Sequence, residues 1–305
     1  MLKNILISSF LFFFYVLSSF SQDSLRTNFE MSFKKNDRYV YRNAEMKFRQ
    51  NMRGVYSDIL YDTSFFLLHV RDLNDSLNFI DFNYADYFKN NKLETDPINE
   101  NDILKTETYQ MSFSKEGRFI ELLNWESFAS VLIQNLKREY LAKQIDSNTL
   151  KQYYLMYHKQ AYVEYVLLPR VLEVFDFVGY EFSNTEKYFS QKYIKNPFGG
   201  KDLEKDCFFE ISKNNSHKNS VVVKGKVSSN FEDNPILQRD YFIFKNGFEP
   251  TAAIFETLPY IYILDTYEYQ WGTLNKQILR YLSSHTIYSG DEKQGLDREI
   301  LLYAR

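Results

Sequence analysis

Cysteine is almost absent. Cys207 stands alone in a chain of 305 residues, so no intramolecular disulfide can form and the core alone must hold the fold, even in an oxidising compartment. Its surroundings, Asp206-Cys207-Phe208-Phe209, are aromatic. No helix N-terminus or cationic cluster activates the thiol locally, so it reads as a buried small hydrophobe. Ten glycines and six prolines leave no linker or low-complexity segment. Basic residues do not exceed acidic ones (37 against 40), which gives nucleic acid no charge to bind, and no polybasic run addresses anionic lipid. The four histidines, His69, His158, His217 and His285, show no short metal-ligand spacing. There is no Gly-x-Ser-x-Gly elbow and no Walker or dinucleotide loop, and Gly199-Gly200 reads as a turn. These absences predict no cofactor, no metal site and no catalytic residue.

What is present begins at the N-terminus. Met1 to Asn4 carries one positive charge, Ile5 to Leu17 is nearly all apolar, and Ser19-Phe20-Ser21 offers small residues before Gln22. That is the layout of a secretory leader over residues 1–21. A membrane anchor would need roughly 20 apolar residues, and no cysteine follows the apolar core to take a lipid. No later segment is long and apolar enough to span a bilayer. The expectation is a mature chain of about 284 residues with net charge −4, exported to the periplasm or the cell exterior.

The aromatic load is high: 28 Phe, 25 Tyr and 2 Trp. It reads as drift of an AT-rich coding sequence, or as rings lining a ligand groove. Period-two patterning predicts strands at Phe29–Phe33 and Tyr39–Phe48, across a turn at Lys35–Asp37, then over 55–72 and 77–88. Lys89 to Asp102 reads as a surface loop. Met111–Phe113 and Phe119–Ile120 flank a hairpin turn at Gly117. After Asn124, an expected N-cap, the period changes. Trp125, Phe128, Ala129, Leu132, Leu136 and Tyr140 share a helix face. A second helix is capped by Asp146 or Ser147, with Leu150, Tyr153, Tyr154 and Tyr157 on its buried side. A third runs from 162 to 176, broken at Pro169 and stopped near Gly179. Strands return at 180–182, 188–193, 208–211, 221–227, 261–263, 267–271, 279–281, 285–288 and 298–303, with a turn at Asn196–Gly200. Residues 234–258 read as strand or helix.

Strands before and after a helical block at about 124–177 predict an α+β fold. Its antiparallel sheets are curved and half-barrel-like, the block packs on one face, and residues 22–305 form a single unit. Three stretches carry a resemblance: Lys115 to Trp125, running strand, turn, strand and helix; Tyr180 followed by Asn196-Pro197-Phe198-Gly199-Gly200; and Asp265-Thr266-Tyr267-Glu268-Tyr269. They resemble a family of exported bacterial envelope proteins whose domain has no assigned function. Gln270-Trp271-Gly272 stands where that family has a Gly-Trp-Pro turn. The resemblance implies export and a β-rich fold and no active-site residues.

The expected role is a non-catalytic exported protein that binds a lipophilic molecule or an envelope partner. The tyrosines at 153, 154, 157, 162 and 165 are either a packed helix face or an aromatic groove against the sheet. A hydrolase assembled from distant residues predicts converging polar side chains in a concave pocket. A structural subunit of a surface assembly predicts an exposed apolar patch.

Overall fold

The computed structural model describes residues 26–51, 53–89, 92–94, 107–184, 188–214, 219–290 and 292–304. The leader, most of the loop expected over 89–102, and the tip holding His217 lie outside them.

The first strands are β1 (Arg26–Asn28), β2 (Arg38–Asn51), β3 (Tyr56–Leu73), β4 (Leu77–Ala85), β5 (Tyr87–Lys89), β6 (Lys92–Glu94), β7 (Tyr109–Ser114) and β8 (Phe119–Leu122). A helical block follows: α1 (Trp125–Leu141), α2 (Ser147–Tyr157), α3 (Gln160–Leu167), α4 (Pro169–Leu172) and a 3-10 turn at Glu173–Phe175. Then come β9 (Glu181–Ser183), β10 (Tyr188–Ile194), β11 (Leu203–Lys213), β12 (Ser220–Ser228), α5 (Asn234–Asn246) and α6 (Ala252–Phe255). The last strands are β13 (Ile261–Gly272), β14 (Gln277–Ser289) and β15 (Glu292–Ala304).

Eleven strands form one antiparallel sheet in the order β10-β11-β12-β13-β14-β15-β2-β3-β4-β7-β8. The last strand, β15, lies in the middle beside β2. β1 pairs with β9 and β5 with β6. Alternation buries one face: Phe66, Leu68 and Val70 on β3, Ile80 and Phe82 on β4, Tyr109, Met111 and Phe113 on β7. Rings relay across it. Tyr41 stacks on Phe66 at 5.0 Å, Phe66 meets Phe82 at 5.1 Å, Phe82 meets Tyr109 at 5.8 Å, and Tyr109 stacks on Phe128 of α1 at 4.4 Å.

The sheet curls, and two neighbouring side chains show by how much. β7 and β11 are eight places apart in the sheet, about 38 Å across a flat one. Yet Phe175 touches Phe113 of β7 at 5.5 Å, and Phe177 touches Phe209 of β11 at 4.6 Å. Phe177 also meets Tyr269 of β13 at 4.3 Å, and the Tyr269 hydroxyl donates to the Glu173 carbonyl at 3.0 Å. Residues 171–178 therefore plug a concave face. Opposite Phe209, β12 carries Gly225, where a Cβ would lie 2.2 Å from the ring. The sheet's edges are β10 and β8, and no pairing joins them among the described residues.

The α+β class with an antiparallel sheet and a helical block matches expectation. So do the Gly117 turn (φ 91°), the Asp146 cap, which accepts from the Asn148 and Thr149 amides, and the break at Pro169. Other expectations fail. Phe29–Phe33 is not a strand. The Phe29 and Met31 amides reach the Tyr180 and Glu116 carbonyls, and the alternation reflects only which side chains are buried. Asn124 takes the N-cap position of α1 as expected, but its side chain does not cap the helix, because it accepts from the Gln110 amide and donates to the Thr108 carbonyl. The loop over 89–102 contains β6. Residues 234–258 hold the helices α5 and α6 and no strand, and Tyr241–Phe244 is helical despite its strand propensity, after Pro235 in the first turn of α5.

Truncating the plug should be costly. Phe177→Ala should lower unfolding free energy in urea by about 3–5 kcal/mol, whereas the exposed Phe231→Ala should stay within about 0.5 kcal/mol of the parent.

Candidate functional site: a charged cleft and an exposed aromatic layer

The inward face of β13, β14, β15 and β2 changes character halfway along. Ile263, Tyr269 and Trp271 are inward on β13, so the same parity turns Asp265 and Tyr267 inward. The register sets Asp265 opposite His285, Tyr267 opposite Ser283, and Arg298 opposite Glu45. Against this polar band lies the chain around Glu173 and Asp176, just after Pro169 ends the regular helix. Together they line a cleft of about 520 Å³.

Three basic side chains and their acidic partners organise it. His285 Nδ1 lies 2.6 Å from Asp265 Oδ1. An ionised Asp265 accepts from Nδ1 and leaves Nε2 as the free lone pair. Lys192 of β10 donates to Asp176. Arg298 is nearly fully buried. Its Nε donates to Asn43 Oδ1 at 2.8 Å and lies 3.6 Å from Glu45, while Nη1 reaches Glu173 at 3.2 Å. Its Nη2 is buried with no hydrogen-bond partner among the described residues. Asn43 in turn donates to Ser64 Oγ at 3.1 Å. The network thus ties three adjacent strands to the plug.

Burial dominates the electrostatics. It pushes the carboxyls of Glu173 and Asp176 above the ordinary range, against the opposing pull of Arg298 on one and Lys192 on the other. Burial also raises the phenols of Tyr267, Tyr269 and Tyr281, helped by nearby acidic groups. The cleft therefore combines carboxyls disposed to hold protons with an imidazole oriented by a carboxylate. That set can exchange protons with a bound molecule. Among the described residues no group of three or more His, Cys, Asp or Glu could hold a metal ion.

A second, larger hollow of about 1140 Å³ lies on the solvent face of the same sheet, between Phe208 on one side and Met46 and Tyr61 on the other. Its floor is largely charged and polar, with Lys224 paired to Glu268 and Arg280 to Glu299.

Cys207 is fully buried, as expected, and burial pushes its thiol up to about 11. His69 is a half-buried sheet residue. His158 is exposed, edge-on to Tyr154 at 4.8 Å. The tyrosine-rich face of α2 is not buried: none of that helix's side chains is. Tyr153, Tyr157, Tyr162 and Tyr165 instead follow one another at 6.1, 5.6 and 6.2 Å in a ladder along the outside of the block. The cleft residues were missed as a site. Parity alone, Asp265 between inward Ile263 and Tyr269, marks a carboxylate facing the core, but its partner needs the register.

No protein-family model matches the chain, and no curated protein matches it. Among solved structures it is similar to the one described as "Lipid-protein interactions in lipovitellin", at 8% identity and a TM-score of 0.43. The match covers 90% of this chain and 26% of that chain.

The raised carboxyls have a signed consequence. The native state binds more protons than the unfolded chain just above the ordinary carboxylate range, so this contribution to stability falls as pH rises through it. Glu173→Gln removes one such group. In urea titrations the parent should lose stability relative to the variant as pH rises above the ordinary glutamate range, about 4.3. A constant offset would show that burial does not control Glu173.

Proposed function

We propose that this chain is an exported binding protein of the cell envelope that engages a lipophilic molecule or an apolar partner through the outer surface of α1, α2 and α3. One observation carries the reading. α2 buries no side chain of its own, yet Leu141, Tyr153, Tyr154, Leu155, Tyr165 and Val166 stand exposed around it. Large apolar side chains exposed in such number on one helical block mark an interaction site. Isolated helices as short as α2 are marginal in water and take most of their stability from packing, which a bound apolar ligand would add. The leader read in Met1–Ser21 supports export, and the resemblance to exported envelope proteins agrees with it. N-terminal sequencing of the protein recovered outside the cytoplasm should begin at Gln22.

A second reading, a hydrolase, is favoured by the Asp265–His285 pair beside the buried carboxyls of Glu173 and Asp176 in a concave cleft. On that reading His285→Ala lowers hydrolysis of model esters or glycosides by about 10²–10⁴-fold. No turnover by the parent on either class would remove it.

Native mass spectrometry of protein purified from its own envelope should show retained lipophilic mass. Leu141 and Leu155 are 78% and 66% exposed, so Leu141→Asn with Leu155→Asn should leave folding intact. The pair should weaken binding of that molecule at least about tenfold, as loss of buried Leu area implies. A clean apo mass would count against this reading.

A further inference from the structure

We propose that the α1–α3 surface docks on an anionic lipid bilayer. This rests on the apolar-binding reading above and names the partner.

The chain as a whole is acidic, net −3, and no run of basic residues exists in the sequence. The fold nevertheless gathers cations at one place. Residues 137–159 hold five basic side chains, Lys137, Arg138, Lys143, Lys151 and Lys159, against two acidic ones, Glu139 and Asp146. All five cations are exposed. The Asp146 carboxylate is committed to the α2 N-terminus, so within 137–159 Glu139 is the single acidic side chain left to oppose them; Glu126 lies in the first turn of α1, and Glu164 of α3 accepts from the Leu122 amide.

The cations border the apolar side chains. Lys137 Nζ lies 6.0 Å from the centre of the Tyr154 ring. Lys151 is one helical turn before Leu155, so both sit on the same stripe of α2. Lys143 follows Leu141 by two residues, and the Lys159 amide donates to the Met156 carbonyl at 3.0 Å. Exposed Leu with a border of Tyr and Lys is the composition that settles into a headgroup layer: aliphatic groups enter, tyrosines lie at the polar boundary, and cations meet lipid phosphates. A second copy of the chain fits less well, because an isologous pairing would face two net-cationic surfaces.

Co-sedimentation with vesicles separates the possibilities. The chain from Gln22 to Arg305 is mixed with phosphatidylcholine vesicles, or with vesicles containing about one-third phosphatidylglycerol. Binding should be at least tenfold tighter to the anionic vesicles and largely lost in about 0.5 M salt, where the screening length is only a few ångströms. Lys143→Glu with Lys151→Glu should weaken it by on the order of fivefold per charge removed, before any added repulsion. Leu155→Asn should weaken it without changing the salt dependence. Equal binding to both vesicle types would overturn the anionic partner and leave the apolar reading standing. Binding to neither would overturn docking, and the mass spectrum then decides the apolar reading separately: retained lipophilic mass keeps it, a clean apo mass removes it. A dimer in sedimentation velocity that Leu155→Asn dissociates would assign the surface to a second copy instead.

Discussion

Everything in this structure depends on filling the hollow of the curled sheet. An eleven-stranded antiparallel sheet that bends enough to bring β7 and β11 within reach of neighbouring side chains creates an interior that water would otherwise occupy. Residues 171–178 occupy it. Phe175 fastens the β7 side and Phe177 the β11 and β13 side, while Glu173 meets Arg298 in the polar band between them and Asp176 pairs with Lys192 of the edge strand β10. Pro169 makes this possible by ending the helix, since a continued α3 would carry its side chains past the hollow rather than into it. Rings such as Tyr41, Phe66, Phe113 and Tyr269 pack this interior, and the concave face presents a charged cleft beside them.

Much of the fold is readable from local chemistry. The three- and four-residue steps from Trp125 to Leu136, the Asp146 cap, the glycine turn at 117 and the proline break at 169 each follow from neighbours a few positions away. The misreadings share one cause, which is distant structure overriding a local rule. Phe29 and Met31 alternate because two distant carbonyls fix their backbone. Asn124 turns from capping to bind β7. Tyr241–Phe244 is helical despite its β propensity, because the turn before it and the packing of Leu237 and Phe242 decide. The tyrosines of α2 have helical spacing and were expected to be buried, but periodicity shows only that a face is shared, not what covers it. The candidate site was the least legible part. Asp265 and His285 lie 20 positions apart and Arg298 and Glu173 125 apart. They meet only once the strand register is fixed.

The two hollows use the same strands in opposite ways. On β13, β14 and β15 one parity carries Tyr267, Ser283 and Arg298, which reach the inner cleft as well as the outer hollow, and the other carries Glu268, Leu282 and Glu299, which line the outer hollow alone. A one-residue slip of register would exchange them. Arg298 opposes such a slip, since its bonds to Asn43 and Glu173 hold only when it points inward.

The place of β15 beside β2 bears on how the chain folds. Arg42 and Glu299, joined across that seam, are 257 positions apart. The centre of the sheet therefore stays unpaired until the last segment of the chain has been made, and the two halves before it are each left with an open edge. Pairing over such sequence distance makes for slow folding, with unpaired edges exposed meanwhile. Pairing β15 into the middle is the step that joins the two halves.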